Sequence, residues 1–316
     1  MALFSDWTAR RIERAYPPSG RFLRVRNADL HYIDVGSGSP ILMIHGLDGQ
    51  AGDFTYSLVE RLANDHRVIV LERPGSGHST QPADTLASIH EQAHTVADFI
   101  AALELEAPLV VGHSFGGAVA LSLALDYPER VGALALVAPL TCPEIRIPKI
   151  FKPLAIRSPA LRKLFAHTLA VPLSMACSHT MMDNIFGPEH APADYADKGG
   201  QPLSLRPKSF YTSSTDLTAA NDDLPGMVAR YTQLKLPVGV LYGSDDRVLD
   251  HHVHGVALTD LIANLELDVV PGGHMLLVTQ PETTAAFVRR MAGRIQPSRR
   301  VRAPARARAK RQLAVA

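Results

Sequence analysis

Cysteine is scarce in this chain of 316 residues: Cys142 and Cys177 are the only two. Two thiols cannot make a disulfide framework, so the chain reads as cytoplasmic, with each thiol free and buried. Long apolar runs are missing as well. No stretch reaches the roughly 18 residues that a membrane-crossing helix needs. The opening, Met1-Ala2-Leu3-Phe4-Ser5-Asp6-Trp7, lacks the charged start and apolar centre of a secretory signal. No G-x-x-x-x-G-K-[ST] phosphate loop is present, so Gly75-x-Gly77 reads as a tight turn. Zinc-type ligand spacing is also missing. His251-His252-x-His254, close to Asp250, lies at a helix start and reads as a solvated cap. No metal and no cofactor are therefore expected. Finally, residues 295–316 have no acid but seven Arg or Lys, which turns the formal +1 of the whole chain into −6 for the remainder. Their Arg, Ala and Pro read as a disordered appendage, and with no basic fold behind it no nucleic acid partner is expected.

What is present is a large apolar complement, 46% of the residues, enough for a sizeable core. The length suggests two domains, or one α/β domain with an insertion. Trp7 to Arg14 is amphipathic, and Pro17-Pro18-Ser19-Gly20 breaks it. Phe22 to Val25 and Leu30 to Val35 read as strands joined by a turn. Ile41 to Ile44, Arg67 to Leu71, Leu109 to Val111 and Val131 to Leu140 are apolar runs, as expected for strands buried on both faces. Phe54 to Leu62 and Ile89 to Leu105 have helical periodicity. After Pro143 the pattern changes until about Leu234. Val238 to Tyr242, Leu258 to Ile262, Leu265 to Val270 and Thr283 to Met291 then read as strand, helix, strand, helix. Strands alternating with helices predict a doubly wound, mostly parallel sheet.

The chemistry is signalled at Gly112-His113-Ser114-Phe115-Gly116. An apolar strand runs into it, and a helical pattern, Ala118 to Ala124, leaves it. In that context G-x-S-x-G is a nucleophile elbow. Gly112 and Gly116 make room for a sharp turn with Ser114 at its apex. A serine hydroxyl needs an adjacent base, and histidine is suited to that. Of fourteen histidines, His274 follows an apolar strand and the flexible Pro271-Gly272-Gly273. That places it at the edge of the sheet where Ser114 sits. His113 is read as structural or pocket-lining, because adjacent side chains at a strand end point apart. His45 is read as packing or hydrogen-bonding beneath the loop it opens, and His78 as shaping the turn before Ser79.

Five motifs in this order resemble those of the α/β-hydrolases, the family that includes esterases, lipases and C–C bond hydrolases. They are His45-Gly46, Arg73-Pro74-Gly75-x-Gly77-x-Ser79, the elbow, Tyr242-Gly243-Ser244-Asp245-Asp246, and Gly273-His274. Together they cover residues 21 to 292. The resemblance implies an α/β-hydrolase fold with Ser114 as nucleophile and His274 as base. Gly243-x-x-Asp246 matches the family spacing for the acid, with Asp245 then solvated; Glu144 is the third candidate. The backbone N–H groups of Leu47 and Phe115 would form the oxyanion hole. The domain reading is an extension (1–20), a core (21–140 and 235–294), a helical cap (141–234) and the basic tail (295–316). Met175, Met181, Met182 and Phe186 are the candidates for an apolar pocket in the cap.

The function expected is that of a carboxylesterase acting on a small, apolar ester through an acyl-enzyme. A serine at the elbow argues against epoxide hydrolases and haloalkane dehalogenases, which use aspartate there. Two alternatives stand. One is a C–C hydrolase of ring-cleavage products, although His45-Gly46-Leu47-Asp48-Gly49 lacks the Gly-Pro-Gly continuation of those relatives. The other is a small-molecule receptor that retains the triad.

Overall fold

Apolar residues run consecutively along the central strands because both faces of the sheet are covered. The computed structural model describes residues 1–26, 28–81, 88–143 and 149–295, and in it the strands are β1 (Arg21–Val25), β2 (Ala28–Gly36), β3 (Pro40–Ile44), β4 (Arg67–Leu71), β5 (Leu109–His113), β6 (Ala133–Val137), β7 (Val238–Gly243) and β8 (Leu265–Val270). They form one sheet in the order β1-β2-β4-β3-β5-β6-β7-β8. The pairs β1–β2 and β2–β4 are antiparallel; the remaining pairs are parallel. Leu42 and Ile44 of β3 enter one core, while Ile41 and Met43 enter the other. In β6, Leu134 and Leu136 join the first, and Ala133, Ala135 and Val137 the second. This is the doubly wound arrangement expected of such runs.

Seven helices of seven residues or more are used below: α1 (Ala2–Ala15), α2 (Ile89–Ala102), α3 (Phe115–Asp126), α4 (Pro159–Phe165), α5 (Val171–Phe186), α6 (Pro207–Val228) and α7 (Pro281–Ala292). In α2, Ile89, Ala93, Val96 and Ile100 recur at three and four and enter the first core. Ser88 opens α2 by accepting the Glu91 N–H at 3.0 Å, half of a capping box. Helix α7 gives Phe287, Val288 and Met291 to the second core.

Three expectations need correction. Residues 54–62 are not one helix but parts of two short ones, Gly52–Thr55 and Leu58–Leu62, broken where the Ser57 hydroxyl donates to the Leu277 carbonyl at 3.0 Å. Leu258 to Ile262 is not a helix. The helical turn falls earlier, at His251–His254, because Asp250 caps it by accepting the His252 N–H at 2.8 Å and Gly255 ends it. Neither thiol is buried: Cys177 is exposed on α5, and Cys142 is half-buried with its sulfur 3.5 Å from His254 Nδ1. Glu144 and residues 296–316 lie outside the described residues. Among the described residues, no helix is long and apolar enough to cross a membrane.

Parallel register sets the strand ends level. Ile44 pairs with Gly112, and Gly112 with Leu136, so the loops after β3, β5 and β6 share one edge. Gly243 pairs with Val270, which brings the loops after β7 and β8 to that same edge. Residues 149–234 contain α4, α5, α6 and shorter helical turns and, among the described residues, no strand.

Candidate active site

Ser114 occupies the turn between β5 and α3 at φ +53°, ψ −120°. A side chain in that left-handed region stores roughly 1–3 kcal/mol of strain. The surroundings hold it there. The Ser114 N–H donates to the Val137 carbonyl at 3.1 Å, and the Ser114 carbonyl accepts from Gly117 and Leu140 at 2.9 and 3.0 Å. The flanking glycines answer to close approach. A Cβ on Gly112 would lie 2.6 Å from the Gly116 carbonyl oxygen, and one on Gly116 would strike the carbonyls of Ile44 and His45.

His274 and Asp246 meet across the loops after β8 and β7. His274 Nδ1–H donates to Asp246 Oδ2 at 2.7 Å, with both side chains almost wholly buried. This leaves Nε2 as the nitrogen able to take a proton. Asp246 Oδ1 accepts the N–H groups of Val248 and Leu249 at 2.8 and 3.0 Å. Burial opposes its charge, but His274 and these two N–H groups hold its pKa below the ordinary carboxylate value. Asp245 is exposed and turns instead to the Ser244 hydroxyl at 2.8 Å. Among the described residues, Ser114 Oγ has no hydrogen bond to His274, a contact that enzymes without substrate often leave loose.

His113 contributes more than its sequence position suggested. Its Nε2–H donates to the His274 carbonyl at 3.2 Å, and the two rings lie 4.9 Å apart. The ring is buried and kept neutral, its pKa pushed down to about 3 by desolvation and by His274. His113 therefore positions the loop that carries His274.

The loop after β3 is fixed from beneath by Arg73. Its guanidinium donates to the carbonyls of His45 and Gly46 at 3.1 and 2.8 Å. A trans peptide points its N–H opposite to its C=O. Holding the Gly46 carbonyl toward Arg73 thus turns the Leu47 N–H toward the cavity. Among the described residues, neither the Leu47 N–H nor the Phe115 N–H has an acceptor. His45 completes the anchor: Nε2 accepts the Arg73 N–H at 3.0 Å, so Nδ1–H donates to the Gly46 carbonyl at 2.9 Å. Burial and nearby Arg73 push the His45 pKa down to about 3, so it stays neutral. Arg73 itself pairs with Asp216 of α6 at 2.6 Å, donates to Gln92 at 2.8 Å, and lies 4.7 Å over the Phe115 ring. Both members of the Arg73–Asp216 pair are buried. Sequence reading placed Arg73 in a motif without a role and passed over Asp216, because nothing in Thr215-Asp216-Leu217 marks that aspartate.

Ser114, His274, Leu47 and Phe115 open into one cavity of about 1060 Å³. Met181, Met182 and Phe186 line it from α5. Met175 does not; it is exposed on the outer side of α5, because a helix can turn only one face inward. Asp48, next to Leu47, also lines the cavity, and its Oδ1 accepts the Ser213 hydroxyl at 2.9 Å. Among the described residues, no group of three or more His, Cys, Asp or Glu side chains is placed to hold a metal.

The chain is similar to known proteins in sequence and in fold. The 2-hydroxy-6-oxononadienedioate/2-hydroxy-6-oxononatrienedioate hydrolase of Paraburkholderia phymatum is 28% identical over 256 residues, covering 76% of this chain and 82% of that protein. The 2-hydroxymuconate semialdehyde hydrolase of a Pseudomonas species is 37% identical over 123 residues, which cover 38% of this chain and 44% of that protein. The chain spans less than half the length of the latter relative. Among solved structures, a thermophilic esterase from Thermogutta terrifontis superposes with a TM-score of 0.72 at 21% identity, covering 88% of this chain and 100% of that one; that likeness speaks to fold alone. The model of the alpha/beta hydrolase fold matches residues 39–281, from the start of the parallel strands to the first turn of α7. The chain belongs to the α/β-hydrolase fold family.

Proposed function

We propose that this hydrolase is a serine carboxylesterase for neutral, apolar acyl groups, working through an acyl-enzyme. The observation that carries the reading is the buried Asp246–His274 pair opening, with Ser114, into a mostly apolar cavity. In this reading Ser114 Oγ attacks the ester carbonyl as His274 Nε2 takes its proton. The N–H groups of Leu47 and Phe115 receive the negative charge on the former carbonyl oxygen. Collapse expels the alcohol, which takes the proton from His274. Water, deprotonated by His274, then releases the acid and restores Ser114. Asp246 holds the Nδ1–H tautomer throughout and stabilises the imidazolium. Residues 141–234 act as the cap that shapes the acyl pocket, and the two unbridged cysteines fit a cytoplasmic setting.

Cleavage of a C–C bond in a ring-cleavage product is the second reading, favoured by the names of the relatives. Those names describe dioate substrates with two carboxylates. The acids Asp48, Asp53 and Asp183 line this cavity against a single lysine, Lys149, and among the described residues no arginine lines it. That charge pattern favours the neutral ester.

The test is turnover of p-nitrophenyl esters of graded acyl length by wild type and Ser114→Ala. The substitution should remove turnover by up to about a millionfold where chemistry limits the rate, and a fluorophosphonate should label Ser114 alone. Wild-type rates in the alanine variant would sink the proposal. Faster cleavage of a dienedioate than of any ester would install the second reading.

A further inference from the structure

Helix α4 is built inside out. A helix on a water-soluble face normally buries its leucines and exposes its arginines. Here Arg162 is 4% exposed, while Leu161 and Leu164 are 60% and 62% exposed. The inward face carries one satisfied cation among small apolar contacts: Arg162 donates to Ser214 and Thr218 of α6 at 2.9 and 3.0 Å and to the Ile156 carbonyl at 2.6 Å, beside buried Ala166 and Ala170, which pack on Leu154 and Phe210. The outward face continues through Leu169 (52%) and Met175 (46%). Helix α1 adjoins it, with Asp6 Oδ1 3.6 Å from His167 Nδ1. That helix adds exposed Leu3 and Trp7. Apolar side chains clustered in this way mark an interaction surface.

Charge identifies the occupant. Residues 149–182 contain no Asp or Glu and five Lys or Arg. Arg162 is the buried one; Lys149, Lys152, Arg157 and Lys163 are exposed, with Arg157 3.8 Å from Asp222 of α6. A second copy seated on this face by a two-fold axis would oppose like charges. The chain's own residues 299–311 carry seven further Arg or Lys and no acid, so they too would be repelled. An apolar centre with a basic rim matches instead the surface of an anionic membrane, where leucines enter the acyl boundary and lysines meet headgroups.

We propose that this face, Leu161 to Met175 with the exposed side of α1, docks the protein on anionic lipid bilayers. The docked face leads to the cavity, because Leu173 is both exposed and part of the cavity wall. Entry of a lipid ester by that route rests on the esterase reading; docking itself does not.

The experiment is co-sedimentation of the full chain with vesicles of phosphatidylcholine alone and of phosphatidylcholine and phosphatidylglycerol in equal parts. Wild type should sediment with the mixed vesicles and hardly with the neutral ones, and raised salt should weaken the association. Leu161→Ser with Leu164→Ser should reduce binding about tenfold or more. Lys152→Glu with Lys163→Glu should reduce it by at least about fivefold for each basic residue lost. All four side chains are exposed, so melting temperature and turnover of a short soluble ester should stay close to wild type. Failure of the wild type to sediment with mixed vesicles overturns the proposal, as does unchanged binding by the leucine pair. A wild-type dimer that the leucine pair dissolves, without vesicle binding, would give the face to a second copy. Vesicle binding without ester turnover would reject the esterase and leave docking standing.

Discussion

In β3, β4 and β6 every fully buried side chain is apolar, whereas the first half of α6 turns inward Ser209, Thr212, Ser213, Ser214 and Asp216. The sheet is held by area removed from water, which is non-directional and tolerates exchanges that conserve volume. The helical segment is held by donors and acceptors that need particular partners: Arg162 on Ser214, Arg73 on Asp216, Arg206 on the Gly77 carbonyl at 2.5 Å. Removing one member of the ion pair Arg73–Asp216 leaves the other buried and unpaired, which destabilises by about 3–5 kcal/mol. A sheet built in the first way can carry loops of many kinds. A segment held in the second way is tied to one orientation over the site, and Arg73 is one of the side chains through which the two regions meet.

The largest effect should come from the acid that belongs to the sheet's own edge. Asp246→Asn keeps the size of the side chain but favours the wrong His274 tautomer. The corresponding change in the serine-protease triad, a standard reference case, lowers kcat about ten-thousandfold. Asp245→Asn, at an exposed position, should leave kcat close to wild type. Steady-state rates on one ester decide the matter: equal losses at the two positions would remove Asp246 from its role.

A smaller effect should come from the joint between the regions. Arg73→Met frees the Gly46 carbonyl and with it the direction of the Leu47 N–H. Loss of an oxyanion donor lowers kcat about 100- to 1000-fold. Asp216 is left behind without its cation, and burial, which already raises its pKa against the pull of Arg73, then meets less opposition; some stability is lost along with the rate. The contrasting variant is Leu134→Ala in β6, which should lose about 2–5 kcal/mol of stability and keep its kcat. Melting temperature and kcat measured on both variants separate the roles. If Arg73→Met lowers melting temperature alone, Arg73 is a structural strut and nothing more.

The same contrast explains what could be read from the sequence. Strands β3 to β6 announce themselves because burial on both faces demands consecutive apolar residues. The elbow is local, so its glycines and its serine are neighbours in the chain. Asp246 stands out because its turn is local too, its N–H donating to the Gly243 carbonyl at 3.3 Å. The Arg73–Asp216 pair joins residues 143 positions apart, and only the tertiary fold brings them together. Leu161 and Arg162 defeat periodicity in another way. The pattern says that a helix has two faces, and the usual rule assigns the leucines inward. A serine- and threonine-rich α6 inverts the assignment by offering Arg162 its partners.

The smallest effect tests Asp48, which sits where the two regions touch. It follows Leu47 at φ +56° and accepts a hydrogen bond from Ser213 of α6. Burial pushes its pKa up to about 7, against the Ser213 hydrogen bond and with help from Asp53, itself pushed up to about 6 by burial. A carboxyl whose folded pKa lies above its unfolded value of 3.8 binds its proton more tightly in the folded state. Its contribution to stability is therefore fully present below that unfolded value and is lost as pH rises through about 7. Three pKa units set an upper bound of about 4 kcal/mol, and solvent in the cavity reduces it. Asp48→Asn removes the ionisation, so the variant should gain on wild type steadily between about pH 4 and pH 8. Ester turnover should diverge later, only as pH passes through about 7, where Asp48 of the folded enzyme ionises. A carboxylate forming beside the Leu47 N–H opposes the negative charge that this N–H is to receive, so wild-type kcat should fall behind the variant's as pH rises. Melting temperature and kcat recorded side by side across that range read both effects. A gap between the two proteins that does not change with pH would mean that Asp48 holds one protonation state throughout, and that the contact between helix and loop is insensitive to it.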